Sequence, residues 1–319
     1  MILRTLAGHF TPRQCSRPNR LGGCYNAQEI NVVAEHYQSK TMKIGIVGLG
    51  LIGGSLAIDL RQLGHTLLGV SRKAETCEAA IAQNIVDDAS LDLALMSDAD
   101  VVFLCTPLGA IAATTEQLIP HLSPHTILTD VGSVKVSVVE TIAPLWQNFV
   151  GGHPMAGTAE SGLAAAFSGL FTDKAYVLTP IEATPPLALE TVANLARSLQ
   201  CQVYQCHPAA HDRAVAWISH LPVMVSASLI AACLTETDPT VLDLAQKFAS
   251  SGFRDTSRVG GGNPELGIMM ATYNREELLR SLHAYQQQIE QMIQRVEQQD
   301  WAALENCLTQ TQQARPEFL

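Results

Sequence analysis

The feature that most constrains this chain is Gly48-Leu49-Gly50-Leu51-Ile52-Gly53. It closes the apolar run KIGIVG (43–48) and opens a stretch of helical spacing from Leu51 to Leu63. Glycines in the pattern GxGxxG mean little alone. Between a strand and a helix they are the fingerprint of a dinucleotide-binding βαβ unit. Gly48 serves the tight turn, Gly50 lets backbone approach a pyrophosphate, and Gly53 permits close helix–strand packing. The helix then turns free N–H groups and partial positive charge toward the phosphates. The six residues from Gly48 to Gly53 are therefore expected to bind a dinucleotide.

The rest of the first half continues the pattern. Thr66–Val70, Val101–Cys105 and Thr126–Thr129 are short apolar runs, each followed by a helix-like segment. Such alternation predicts a parallel sheet with both faces covered. Tyr176–Thr179 and Gln202–Tyr204 are expected as edge strands. After Cys206 the strand signal stops, and 208–235, 238–250, 264–271 and 275–314 read as helix. In the last of these, Leu278, Leu282, Tyr285, Ile289, Met292, Ile293 and Val296 recur at three- and four-residue spacing. The expected class is α/β: an N-terminal Rossmann doubly wound parallel sheet (42–205) followed by an all-helical domain (206–319). Residues 1–41 carry four arginines and little periodicity. They read as an extension, disordered or mis-started, because Met42 stands directly before the first strand.

Composition narrows the partners. Among 319 residues the net charge is −10, which argues against nucleic acid, whose binding needs a basic patch. A small anion is not excluded, since one or two local arginines can hold a carboxylate. Eight cysteines show no CxxC and no zinc spacing, so no metal site is expected, and scattered thiols suit a cytoplasmic setting. Ala214–Leu234 has no formal charge and could span a bilayer by length. His220, Pro222 and several serines interrupt it, and a buried helix of a helical domain is the preferred reading, with no membrane partner.

The end of the second strand selects the nucleotide. An acidic residue is usual about 20 residues after the glycines, where it binds a ribose 2′-hydroxyl. Here the chain reads Val70-Ser71-Arg72-Lys73. A hydroxyl and two cations suit a 2′-phosphate, so Ser71, Arg72 and Lys73 point to NADP, with NAD less favoured. The alternative is that Arg72 and Lys73 are solvated loop charges. Thr106 and Pro107, just beyond the strand that ends at Cys105, are assigned to the same cofactor site.

Four further segments carry unusual chemistry: DVGSVK (130–135), GGHPMAGT (151–158), SHLP (219–222) and FRDTSR (253–258). Together with GLGLIGGS, and in this order, they resemble the prephenate/arogenate dehydrogenase family of tyrosine biosynthesis over residues 42–319. The resemblance implies an oxidative decarboxylation. A hydride leaves the ring carbon bearing the 4-hydroxyl, and the ring carboxylate leaves as CO2. Loss of hydride from an alcohol needs a base at the hydroxyl, and a neutral imidazole can serve near pH 7. His153, set on a glycine-rich loop, fits that role, with Ser133 hydrogen-bonding the hydroxyl or orienting His153. Arg258 would hold a substrate carboxylate, with Arg254 and Thr158 in the same pocket and His220 assisting from the helical domain. Lys135 would support the nicotinamide side or the loop.

Each residue also has a plainer role to fill: Ser133 as a helix N-cap, His220 as a core histidine at the Pro222 kink, and Arg254 in a pair with Asp255 or Glu265. Three positions depart from the family pattern. Ala159 follows the HPMAGT motif where relatives often have Glu, Val223 stands where prephenate users often have a second His, and Asn263-Pro264-Glu265-Leu266-Gly267 replaces Asp-Pro-x-Met-Trp. Losing a histidine while keeping nearby Glu160 suits the ammonium of arogenate better than the keto group of prephenate. The expected partners are thus arogenate or prephenate and a second copy of the chain, bound through the C-terminal helices. The rival enzyme class is a β-hydroxyacid dehydrogenase, which would leave the HPMAGT segment unexplained. The rival outside enzymes is an inert nucleotide sensor.

Overall fold

The computed structural model describes residues 41–158 and 160–318. The expectation for the N-terminal extension thus lies outside the described residues, Thr41 apart.

Eight strands form one sheet in the order β3-β2-β1-β4-β5-β6-β7-β8. They are β1 (Lys43–Val47), β2 (Thr66–Val70), β3 (Asp88–Ser90), β4 (Val101–Leu104), β5 (Ile127–Asp130), β6 (Phe149–Pro154), β7 (Ala175–Thr179) and β8 (Gln202–Gln205). The helices of this half are α1 (Leu51–Gln62), α2 (Ala74–Ala82), α3 (Ile111–Leu118), α4 (Val136–Ile142) and α5 (Pro186–Ser198). The central strands are buried on both faces, which is why they read as continuous apolar runs. One face packs Leu56 and Leu60 of α1 with Val192 and Leu195 of α5. The other packs Ile111 and Leu118 of α3 with Val138 and Ile142 of α4.

The sheet differs from the expected one in two ways. The segment read as a glycine-rich loop is strand β6, and His153 lies within it. It pairs parallel with β5 at Leu128–Thr129 and antiparallel with β7. β7 is therefore internal, and β3 and β8 are the edges. The glycines disguised β6, because they lower strand propensity, but they meet a packing need. A Cβ on Gly152 would lie 2.7 Å from the Asp130 carbonyl oxygen, so no side chain fits there.

The second half is helical: α6 (Pro208–Val215), a π-turn (Ala216–His220), α7 (Leu221–Cys233), α8 (Pro239–Phe248), α9 (Ser251–Ser257), α10 (Pro264–Tyr273), α11 (Arg275–Glu297) and α12 (Trp301–Ala314). The run read as one helix over 275–314 breaks after Glu297, where Gln299 adopts a left-handed φ of 54°. The π-turn precedes Pro222. Proline has no N–H and crowds the carbonyl four residues back, and one wider turn relieves that conflict while rotating the residues before it.

A buried ion pair ties the carboxyl ends of β5 and β6 together. The Lys135 ammonium pairs with Asp130, and both side chains are sealed from solvent. Lys135 also donates to the Gly152 carbonyl at 2.7 Å. Asp130 accepts from the N–H of Gly132 at 2.8 Å and of Gly152 at 3.1 Å. Burial pushes the Lys135 ammonium down from its usual range, and Asp130 opposes that shift. Removing one partner of such a pair leaves an uncompensated charge in the interior. Lys135→Met is expected to lower the unfolding free energy by about 3–5 kcal/mol, seen as a lower urea midpoint at constant slope. An unchanged midpoint would mean that the pair does not hold the two strands.

Candidate active site

The loop from β5 to α4, strand β6 and helix α6 converge on one buried cluster. His153 projects from β6, 8% exposed. His211 and Asp212 lie on α6, both 2% exposed. His153 Nδ1 meets His211 Nε2 at 2.8 Å, and His211 Nδ1 meets Asp212 Oδ1 at 2.7 Å. The two rings are edge-on, with centroids 5.0 Å apart.

Asp212 fixes the direction of every proton in this chain. A carboxylate only accepts, so His211 carries its proton on Nδ1. His211 Nε2 is then a lone pair and takes the Nδ1 proton of His153. What remains free on His153 is the Nε2 lone pair. The arrangement follows the Asp-His logic of a catalytic triad with one imidazole added. His153 is held well below the usual histidine range, first by burial and then by His211, Lys135 and His220. The ring is consequently neutral at neutral pH and able to accept a proton.

Asp212 has a second task. It accepts the N–H of Lys135 at 2.7 Å and of Val136 at 2.8 Å, capping α4 from a helix 76 residues further on. α4 thus finds its cap across the chain, and Ser133 does not fill that place. Ser133 sits half-buried in the β5–α4 loop, and its hydroxyl makes no hydrogen bond among the described residues. His220, on the π-turn, is fully buried; its Nδ1 meets the Asn274 side-chain nitrogen at 3.1 Å. Burial lowers it to about 4, against a smaller opposing effect of Asp212.

The residues expected to hold a cofactor surround the β1–α1 turn and the end of β2. Gly48 has φ +109°, and its N–H donates to Val70 O at 2.8 Å. A Cβ there would lie 2.6 Å from the Cys105 carbonyl oxygen and 2.9 Å from Thr106 N, so Thr106 abuts the turn. The Thr106 hydroxyl is buried with no partner among the described residues, and Pro107 opens a short 3-10 turn. Leu49 is buried and Leu51 and Ile52 pack against the core. By contrast, a Cβ on Gly50 would meet nothing within 4 Å. Its absent side chain leaves space rather than relieving a clash, which fits close approach by a bound pyrophosphate. Beyond β2, Ser71 is half-buried, and Arg72 and Lys73 are exposed and form no ion pair among the described residues.

The other expected substrate residues are Thr158, Arg254 and Arg258. Thr158 is exposed and accepts the Glu160 N–H at 3.2 Å. Arg254 pairs with Asp255 at 3.2 Å in solvent. Arg258 is exposed at the start of a 3-10 turn (258–261) whose Gly260 packs on Ser226 and Ala227 of α7. None makes a hydrogen bond to the histidine cluster among the described residues. Sequence reading missed His211, Asp212 and Asn274. An adjacent His-Asp at the head of a charge-poor helix was the available signal.

Among the described residues no group of three or more His, Cys, Asp or Glu is placed to hold a metal ion. Pro208–Cys233 is long and apolar enough to cross a membrane by length and composition. It is also the segment that brings His211, Asp212 and His220 into the cluster.

Two family profiles match the chain: "Prephenate dehydrogenase, nucleotide-binding domain" over 56–205 and "Prephenate dehydrogenase, dimerization domain" over 207–310. The crystal structure of an arogenate dehydrogenase from Synechocystis is 55% identical, with TM-score 0.80 over 87% of this chain and 100% of that one. A prephenate dehydrogenase from A. aeolicus, solved with hydroxyphenyl propionate and NAD+, is 27% identical, with TM-score 0.82 over 88% of this chain and 99% of that one. The prephenate dehydrogenase of Bacillus subtilis is 33% identical over 262 residues, 80% of this chain and 70% of that protein. The chain belongs to the prephenate/arogenate dehydrogenase family: it is an oxidoreductase that carries out NAD(P)-linked dehydrogenation of substrates of that type.

Proposed function

We propose that this enzyme converts arogenate to tyrosine and CO2 with NADP as hydride acceptor, using His153 as the base. The observation that carries the reading is the proton-directed chain from Asp212 through His211 to His153, which leaves one lone pair free on His153 Nε2. That nitrogen takes the proton of the substrate's ring hydroxyl, with Ser133 of the β5–α4 loop as a second hydrogen-bonding group. As the proton arrives, His153 becomes an imidazolium whose Nδ1–H still donates to His211, and the Asp212 carboxylate stabilises the charge. Once the ring carboxylate has left and the ring is aromatic, the same imidazolium can return its proton to the phenolate oxygen. Gly48 to Gly53, with Thr106 and Pro107, would hold the dinucleotide. The chemistry a nicotinamide supplies when bound is acceptance of the hydride from the hydroxyl-bearing carbon.

Support for NADP is the pair of exposed cations, Arg72 and Lys73, at the end of β2, where no carboxylate stands. Support for arogenate is Val223 in place of a second histidine, together with the 55% identity to the Synechocystis arogenate dehydrogenase. Arg258, Arg254 and Thr158 remain candidates for the substrate side chain and carboxylates. The helical half leaves Phe248 73% and Ile268 67% exposed. With the matched dimerization profile, this supports a homodimer through the C-terminal helices. Neither nucleic acid nor a membrane is a partner on this reading.

Steady-state turnover with arogenate and prephenate, each with NADP and NAD, tests the proposal. The expected result is a strong preference for arogenate and NADP, and Arg72→Ala with Lys73→Ala should erode the preference for NADP by at least tenfold. Turnover of prephenate equal to that of arogenate, or a preference for NAD, would overturn the corresponding half.

The base has its own signature. Neutral His153 is the active form, so activity is lost as pH falls through its pKa, and a lowered pKa moves that loss below pH 6.5. The rate kcat/KM is expected to stay level from pH 8 down through 6.5. Asp212→Asn would let an amide N–H face His211 Nδ1. That turns the His211 proton to Nε2 and the His153 proton onto the nitrogen that must accept. A fall in kcat of about 10³–10⁴ is expected, by analogy with the same change in a triad. A fall below tenfold would remove Asp212 from the mechanism.

A further inference from the structure

Asn274 lies at the junction of α10 and α11, 5% exposed. Its side-chain nitrogen donates to the backbone carbonyl of Asp212 at 2.8 Å and contacts His220 Nδ1 at 3.1 Å. A carbonyl oxygen can only accept, so the group at that place must be the amide NH2 and not the amide oxygen. Its first hydrogen goes to Asp212 and its second to His220. His220 Nδ1 is therefore an acceptor, and the single proton of the neutral ring sits on Nε2. That Nε2–H is sealed from solvent and has no partner among the described residues. A buried donor left unpaired is costly, and such groups persist where a ligand completes them. Asn274 bonds both His220 and Asp212, and Asp212 holds His211 against His153, so the orphan donor belongs to the base's cluster.

We propose that Asn274 is a positioning residue that fixes His220 as a neutral Nε2–H donor, reserved for an oxygen of the substrate and closed to its ammonium. The inference deepens the arogenate reading and rests on it for the identity of the substrate. An N–H that cannot accept repels an ammonium and suits a carboxylate oxygen, a group arogenate and prephenate share. His220 then contributes binding common to both substrates, and discrimination between their side chains lies elsewhere.

Two measurements test this. The first needs no turnover. Long-range proton–nitrogen correlation on the intact protein with labelled histidine, assigned by loss of the signal in His220→Gln, reads the tautomer directly. A protonated Nε2 is expected, and a protonated Nδ1 would overturn the proposal even if the enzyme proves to use arogenate. The second is the pH dependence of Asn274→Asp. In the native protein the donor is present throughout pH 6–8.5, because the neutral ring carries it. In the variant a carboxylate faces Nδ1 and draws the neutral ring's proton there, so Nε2 donates only while His220 is protonated. KM is then expected to rise about tenfold or more as pH increases across that range, with kcat changing less. His220→Leu should raise KM for arogenate and prephenate by similar factors, and His220→Gln, which keeps an N–H near the Nε2 position, should restore most of the loss. A KM that stays flat with pH in Asn274→Asp, or a His220→Leu effect confined to one substrate, would refute it. Absence of turnover with either substrate would sink the functional reading and leave the tautomer result to stand on its own.

Discussion

The structure depends on where Asp212 spends its hydrogen-bonding capacity. Its carboxylate receives two backbone N–H groups at the start of α4 and the ring N–H of His211. The first two bonds dock the helical half on the carboxyl edge of the sheet. The third orients the imidazole that orients His153. As a carboxylate, Asp212 is a pure acceptor. Docking of the two halves and assignment of the proton positions are thus one event. Neither domain alone contains the chain that frees a lone pair on His153.

Beneath this lies the Lys135–Asp130 pair, which sets the sheet side of the cluster with comparable economy. Lys135 contributes its backbone N–H to Asp212 and its ammonium to Asp130 and Gly152 O. One residue therefore links the α4 cap, the end of β5 and the strand that carries His153. The DVGSVK segment is in this sense a structural joint, with Ser133 the one polar side chain in it that no neighbour uses. The close approach of β6 to β5 also explains why Gly152 precedes the histidine: any side chain there would strike the Asp130 backbone.

Much of this was legible in the sequence wherever backbone conformation imposed a residue type. The βαβ unit announced itself because only glycine tolerates the φ of Gly48, and the apolar runs marked the central strands because both their faces are buried. β6 was misread because its glycines answer a tertiary contact and carry no local strand signal. The break at Gln299 was missed because an amphipathic period continues on both sides of it. His153, Ser133 and His220 stood out through motif order. His211, Asp212 and Asn274 did not, since what distinguishes them is burial and mutual distance across 58 and 62 residues, and a single sequence encodes neither.

The two buried histidines are wired in opposite senses, and the wiring begins at one residue. The Asp212 carboxylate, acting through His211, puts the His153 proton inward and leaves a lone pair outward. The Asp212 backbone carbonyl, acting through Asn274, puts the His220 lone pair inward and leaves an N–H outward. Both rings are neutral near pH 7, and burial depresses both. Their difference is one of proton placement, fixed by acceptors that cannot donate. A site that must take a proton from an alcohol while binding an anion needs both senses at once. With two neutral imidazoles in these places, neither ring carries a positive charge until the hydroxyl proton has moved, and only then does the carboxylate at the far end of the His153 chain face an imidazolium.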